Sequence, residues 1–265
     1  MGRVVEPLPR LKASKRDPAS LRIINNAQKT GADSKTNPLR SLNVMSLFEQ
    51  VRYTCSMGFC DDIKKTYQLF PYACHVTHID NLSGIIKKGF LLSKKRLDAA
   101  GVNYEDISDS GIQDKRSQII VPGTSRNLHE YVPFFFTYKA PMIAKRQSEN
   151  ENLVYLQVSL DILQRNGVAI TDGNATSRKS EVRLFTDLRD LAILDLSILQ
   201  KSIRYAADDE KKRKKAAEIL VPDKLEWGSI ERLICFNEAA KTRVLSVLSA
   251  FGMTIEVWIK KDWFY

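Results

Sequence analysis

Three places in the chain bring together residue types that can do chemistry. In Tyr72-Ala-Cys-His-Val-Thr-His-Ile-Asp-Asn81, strand alternation puts His75 and Thr77 on one face, with Val76 and His78 on the other. Two polar tips of complementary hydrogen-bonding type then converge just before a helix N-terminus, whose backbone N–H groups suit a polar ligand. Ordinary half-buried strand residues are the plainer reading of an isolated H-x-T. Arg116 stands in a long stretch of weak periodicity, where a guanidinium can fork onto a pyrophosphate or a base edge, or simply stay in solvent. Glu218 lies at the mouth of the otherwise apolar run Ala216–Val221, where core packing has no use for a carboxylate.

The elements that must position these groups are legible at different strengths. After the His75 strand, Asp80 or Asn81 is the expected N-cap of a short helix with Leu82, Ile85 and Ile86 on its apolar face. Lys87 and Lys88 suit its C-terminal dipole, and Gly89 the position that closes it. Upstream, two amphipathic helices are expected, one carrying Met45, Leu47, Phe48 and Val51, the other Ile63, Tyr67 and Phe70. Residues Ser93 to Arg126 read as a long polar loop, more often functional than a neutral connector. The aromatic run Tyr131 to Phe136 and the apolar runs Leu153–Val158, Val168–Ile170, Ile230–Phe236 and Thr254–Ile259 read as strands. A short helix is expected at Leu160–Arg165, an amphipathic helix with Val244, Leu245 and Leu248 on one face at Glu238–Phe251, a turn at Thr171–Asn174, and a charge-rich helix at Tyr205–Lys215, solvated or in contact with phosphate.

With 265 residues, 43% of them hydrophobic, the chain can bury one main core. A net charge of +10 suits a polyanionic partner, through release of counterions from phosphates, or a merely solubilising surface. Cys55, Cys60, Cys74 and Cys235 are too few and scattered for a disulfide framework, and with His75 and His78 they lack the paired spacing of zinc sites. No metal is expected. No apolar run approaches the roughly 20 residues that span a bilayer, so a cytoplasmic protein with no membrane partner is the expectation. Residues 1 to about 42 form a basic, weakly patterned arm.

Four segments in order, H-x-T-x-x-x-N-L-x-x-I (His75 to Ile85), Y-V-P-F-F-F…P-M (Tyr131 to Met142), T-D-G-N-A (Thr171 to Ala175) and A-E-I-L-V (Ala217 to Val221), resemble the DarT family of DNA ADP-ribosyltransferases. Members of that family transfer ADP-ribose from NAD⁺ onto a base in DNA. The resemblance covers roughly the last two hundred residues. It implies an α+β fold, a split mixed β-sheet with surrounding helices and NAD⁺ in the central cleft, in a domain 71–265 preceded by an N-terminal arm with short helices, 1–70. It further implies Glu218 and Arg116 as catalytic groups, and His75, Val76, Thr77, Asn81, Gly84, Tyr131 and Phe134 as NAD⁺-binding, the aromatic strand forming a wall beneath nicotinamide. Lys94, Arg96, Lys115, Lys139 and Lys145 are charges available to the path of single-stranded DNA, thymidine or guanosine being the modified base. A toxin or phage-defence role and a DarG-like macrodomain antitoxin are implied as well. The same fold acting on RNA or protein, hydrolysing NAD⁺, or binding nucleic acid without catalysis are the alternatives. Cleaving the nicotinamide–ribose bond develops positive charge at the anomeric carbon, which a carboxylate stabilises. Because a base in duplex must first be flipped out, a single-stranded substrate is expected.

Overall fold

Apolar strands with few charges can be covered on both faces, and the run Leu153–Val158 is the extreme case: Leu153, Val154, Tyr155, Leu156 and Val158 are all fully buried. The computed structural model describes residues 57–200 and 208–265. Its strands are β1 (Tyr72–His78), β2 (Phe90–Leu92), β3 (Tyr131–Phe135), β4 (Leu153–Ser159), β5 (Ala169–Thr171), β6 (Val182–Leu184), β7 (Glu218–Pro222), β8 (Lys224–Glu226), β9 (Ile230–Cys235) and β10 (Glu256–Ile259). Among the described residues they form an eight-stranded sheet, β10-β9-β4-β1-β3-β7-β5-β6, and a ribbon of β2 with β8. Pairing is antiparallel throughout, except that β10 lies parallel to β9 after a helical crossover. This is the mixed α+β sheet expected from the resemblance.

The sheet is split. β1 follows β4 from Tyr72↔Ser159 to His78↔Leu153, and β3 follows β7 from Tyr131↔Pro222 to Phe135↔Glu218, but β1 and β3 meet at the single position Cys74↔Phe135. Beyond it the two halves diverge and leave ladder groups unpaired. His75 fills one vacancy, its Nδ1–H donating to the Pro133 carbonyl at 2.8 Å.

Around the sheet lie α1 (Met57–Tyr67), α2 (Leu82–Lys88), α3 (Lys94–Ala99), α4 (Ser110–Gln118), α5 (Pro141–Ala144), α6 (Leu196–Leu199), α7 (Asp209–Lys215) and α8 (Glu238–Ala250). α1 puts Ile63 into the main core and its Tyr67 hydroxyl donates to Leu188 O at 2.7 Å. α2 closes on Gly89 at φ 73°, a left-handed conformation that favours glycine. Arg243 of α8 reaches Asp80 at 3.0 Å, tying that helix to the end of β1.

Several expectations need correction. The segment Ser93–Arg126 holds two helices, α3 and α4, and Arg116 stands on α4 rather than in a loop. Neither helix buries an apolar stripe, so hydrophobic periodicity has nothing to report. They are held by Asp109 accepting from Gly111 N and by the Lys94–Asp98 pair. Asn81 occupies the cap position of α2 without a side-chain cap bond; His78 Nδ1 instead accepts from Asp80 N one turn earlier. Phe70 lies beyond α1 and is half exposed. The charge-rich helix is not simply solvated: Lys215 is buried, donating to Thr137 Oγ1 and Leu199 O, and burial pushes its pKa down to about 8. The arm at 1–42, the helix at Met45–Val51 and the start of the Tyr205 helix lie outside the described residues.

Candidate active site

The split of the sheet opens into a cleft of about 390 Å³, within the range of small-molecule sites. β1 presents His75, Val76 and Thr77 to it, and β3 presents Tyr131, Pro133 and Phe135, the alternate residues of one face. Glu218 enters at the start of β7 and Arg116 from α4.

Glu218 is 4% exposed and held from three sides. Its backbone N–H donates to Thr171 Oγ1 at 2.9 Å, and its Oε1 accepts from Ala175 N at 3.1 Å. Arg116 Nη1 pairs with Oε2 at 3.0 Å. The T-D-G-N-A turn therefore serves the carboxylate. Gly173 is required there because a Cβ would stand 2.7 Å from the carbonyl oxygen of Arg213, which accepts from Asn174 N. Asp172 completes the clamp with two bonds to the Arg213 guanidinium. Arg116 is buried too. Nη1 meets Glu218, while Nη2 is buried without a protein partner, so the guanidinium has donor capacity left over beside the carboxylate.

Burial pushes the His75 pKa down to about 4, so the ring is neutral at physiological pH. With Nδ1 donating to Pro133, Nε2 is left as an acceptor. Thr77 Oγ1 accepts from Asn81 Nδ2 at 3.0 Å. The same amide clasps the backbone of Glu105, donating to its carbonyl at 2.9 Å and accepting from its N–H at 2.8 Å. Asn81 is thus a staple between β1 and the chain leading to α4. Gly84 borders the cleft, and a methyl group there would meet nothing within 4 Å.

Of the other residues singled out from sequence, Lys94 and Lys145 line the cleft, Lys94 held by Asp98 and Tyr104. Phe134 does not line it; its ring is buried in the main core behind β3, 5.6 Å from the His75 ring, and Phe135 takes the wall position. Arg96 lies outside the cleft on Asp223, and Lys115 is exposed on α4. Lys139 is also outside, its Nζ 5.9 Å from the Tyr265 ring. His129 was missed. It faces the cleft with Nε2 2.8 Å from Gln113 Oε1, tying the β3 approach to α4, and burial followed by the Lys94 and Arg116 charges lowers its pKa. The signal was present in Asn127-Leu-His-Glu130, a capping box set just before the aromatic strand. Among the described residues no group of three His, Cys, Asp or Glu side chains is placed to hold a metal ion, and no helix is long and apolar enough to cross a membrane.

A protein-family model described as "ssDNA thymidine ADP-ribosyltransferase, DarT" matches residues 74–265. A DNA ADP-ribosyl transferase of Thermus sp. (strain 2.9) is 31% identical over 213 residues, 77% of this chain and 100% of that protein. A DNA ADP-ribosyl transferase–DNA ADP-ribosyl glycohydrolase fusion protein of Thermosipho africanus is 29% identical over 152 residues, 56% of this chain and 38% of the fusion. Among solved structures, Thermus sp. 2.9 DarT in complex with ADP-ribosylated ssDNA superposes with a TM-score of 0.66 at 30% identity, covering 74% of this chain and 96% of that one. The same enzyme in complex with NAD⁺ gives 0.62 at 28% identity, covering 74% and 98%.

Proposed function

The chain belongs to the DarT family, and we propose from that membership and its cleft that Glu218 and Arg116 join NAD⁺ to a base of single-stranded DNA in the split of the sheet. The activity is NAD-dependent ADP-ribosylation of single-stranded DNA, with NAD⁺ consumed as substrate. Thymidine is the base that the family model names.

The observation that carries this assignment of roles is the buried Arg116–Glu218 pair at the floor of the cleft. As the bond from the anomeric carbon to nicotinamide breaks, its electron pair leaves with the nicotinamide nitrogen and positive charge develops on the ribose. Glu218, already oriented by Ala175 N and Arg116, stabilises that charge without reorganising. The base nitrogen then bonds to the anomeric carbon while its own proton passes to water. A base nitrogen is a weak nucleophile until that proton is lost, and the spare Nη2 donor of Arg116 favours the anionic base. His75 offers a neutral acceptor to a ribose hydroxyl, and the β3 face of Tyr131, Pro133 and Phe135 gives a flat apolar support for nicotinamide. Lys94 and Lys145 supply charge to the strand entering the cleft.

Modification of its own DNA makes such an enzyme a toxin or a phage-defence effector. A DarG-like glycohydrolase that removes the group is its partner, the two activities being joined in one chain in the Thermosipho fusion. Both substrates belong to the cytoplasm, which we infer as its place of action.

The test is incubation with NAD⁺ and single-stranded oligonucleotides that each contain one reactive base type, read by intact mass. An ADP-ribose adduct on one of them, absent with Glu218→Gln, supports the reading and names the base. Nicotinamide release with no adduct would replace transfer to DNA by hydrolysis or another acceptor.

A further inference from the structure

The face of the sheet that carries Glu218 continues well past the cleft. Directly opposed residues place their side chains on the same face, and the pairings Glu218↔Phe135, Phe135↔Cys74, Cys74↔Gln157 and Gln157↔Arg232 form one row from β7 to β9. Tyr72, two residues before Cys74, shares this face. So does Trp258, two residues after Glu256, which pairs with Arg232. Four strand spacings of about 4.8 Å set Arg232 roughly 19 Å from Glu218.

At that distance the surface is neither polar nor plainly apolar. Trp258 is 41% exposed and Phe70 50%. The Arg232 guanidinium lies 4.1 Å from the Trp258 ring centroid and 5.4 Å from that of Tyr72, with Lys260 5.6 Å from Trp258. Phe70 packs edge-on against both Tyr72 (5.8 Å) and Trp263 (6.2 Å). Trp263 in turn stacks on Tyr138 at 4.7 Å, and Tyr138 stands three residues before Pro141 on the cleft wall. Ring contacts therefore lead from the far edge of the sheet through the buried Trp263 to Tyr138, next in the chain to the cleft wall. Arg232 donates from Nε to Glu256 at 2.8 Å and from Nη1 to Gln157 Oε1 at 3.0 Å, which fixes the guanidinium against the Trp258 ring.

We propose that this ledge, Phe70, Tyr72, Arg232, Trp258 and Lys260, is a second contact for single-stranded DNA, holding the strand flanking the base that is modified in the cleft. Alternating aromatic and cationic side chains are what a single strand needs, bases stacking on rings and guanidinium while phosphates meet the cations. At about 3.4 Å per stacked nucleotide, the separation of Glu218 and Arg232 sets a minimum of about six nucleotides for a strand that passes over the packed Tyr138–Trp263 cluster between them. The proposal rests on the reading of the cleft as the site of DNA modification, and it adds a dependence on substrate length that the cleft alone does not require.

The experiment compares a 5-mer and a 15-mer, each with one reactive base at its centre, using wild-type protein, Trp258→Ala, Trp258→Phe and Lys260→Gln. Both positions lie away from the catalytic groups, and Lys260 is a surface side chain whose replacement spares the fold. Wild type should bind and modify the 15-mer with the lower KM. Trp258→Ala should raise that KM at least about fivefold, the lower bound for one lost stacking contact, and leave the 5-mer and the KM for NAD⁺ unchanged. Trp258→Phe should restore most of the loss, and Lys260→Gln should lower the salt slope for the 15-mer by about 0.7. If the variants act equally on both lengths, act on neither, or only lower the melting temperature, the ledge merely caps the sheet edge and the proposal is overturned. If wild type forms no adduct on either oligonucleotide, the reading of the cleft fails separately. Equilibrium binding of the two lengths then decides the ledge by the same criterion.

Discussion

Glu218 comes to the floor of the cleft from the sheet wall and is fixed by backbone; Arg116 meets it there from the helical wall and is delivered by side chains. The carboxylate starts a strand inside the sheet, and its main-chain N–H and its Oε1 are both bound within the T-D-G-N-A turn. Arg116 rides on α4, whose place depends on the Asn81–Glu105 clasp and the Gln113–His129 contact. Backbone ladders inside a sheet open only with the whole domain, whereas segments tied by a few side-chain bonds open locally. The difference suits a transferase that keeps its charge stabiliser fixed while the opposing wall yields to admit two substrates.

Breaking the rigid wall gives the largest effect. Glu218→Gln keeps the shape and removes the charge, and transfer should fall by about 10²–10³-fold in an adduct assay, while DNA affinity stays close to wild type. If transfer survives within tenfold, Glu218 does not stabilise the transition state. Gly173→Ala attacks the same wall without touching a reacting group. The new methyl must displace the Arg213 carbonyl or the turn itself, which costs about 1–3 kcal/mol in thermal unfolding. Because the turn also holds Oε1, transfer should drop by about 10–100-fold with little change in KM for NAD⁺. A stability loss with unchanged kcat would uncouple the turn from the carboxylate.

The same contrast governs what was legible in sequence. The rigid wall was written in motif and pattern: an apolar strand with one misplaced carboxylate, and a glycine turn that answers it. Gly89 likewise marked the end of α2. The yielding wall was not legible, because α3 and α4 are made by caps and single polar contacts, which carry no hydrophobic period. Arg116 was found, yet its pairing with Glu218 joins residues 102 positions apart and belongs to the tertiary fold. The aromatic run Tyr131–Phe136 identified a strand but not its parity, since rings on both faces hide which half is core. The pattern therefore points to Phe134, whereas Phe135 lines the cleft. The charged run that ends in Lys215 reads as a helix solvated or in contact with phosphate, and only the packing of α7 against Thr137 and Leu199 buries that side chain.

His75 sits where the walls part, and acid should act there. Unfolded, the imidazole takes up a proton near pH 6.5; folded, only near 4, because burial disfavours the charged ring. Between those values the unfolded chain holds more protons, so stability is lost as pH falls through this window and is intact above it. The loss reaches about 3 kcal/mol below pH 4. Chemical denaturation at pH 7 and pH 4.5 of wild type and His75→Gln isolates the contribution: the variant should be less stable at pH 7, having lost the bond to Pro133, yet decline less with acid. Parallel declines would place the acid sensitivity elsewhere.

Asn81→Ala removes three hydrogen bonds, one to Thr77 Oγ1 and two to the Glu105 backbone, but the Asn81 amide is partly exposed, so water replaces much of what is lost. Global stability should change by about 1 kcal/mol or less, within the spread of ordinary surface substitutions. Local order should change more, with faster amide exchange from Val102 to Gln118 and none in Glu218–Pro222. A wall that must now be ordered on binding raises KM for NAD⁺ by about three- to tenfold, while kcat holds because Glu218 has not moved. A matching fall in kcat would mean that Arg116 needs the clasp during the chemical step, and the two walls would then act as one rigid unit.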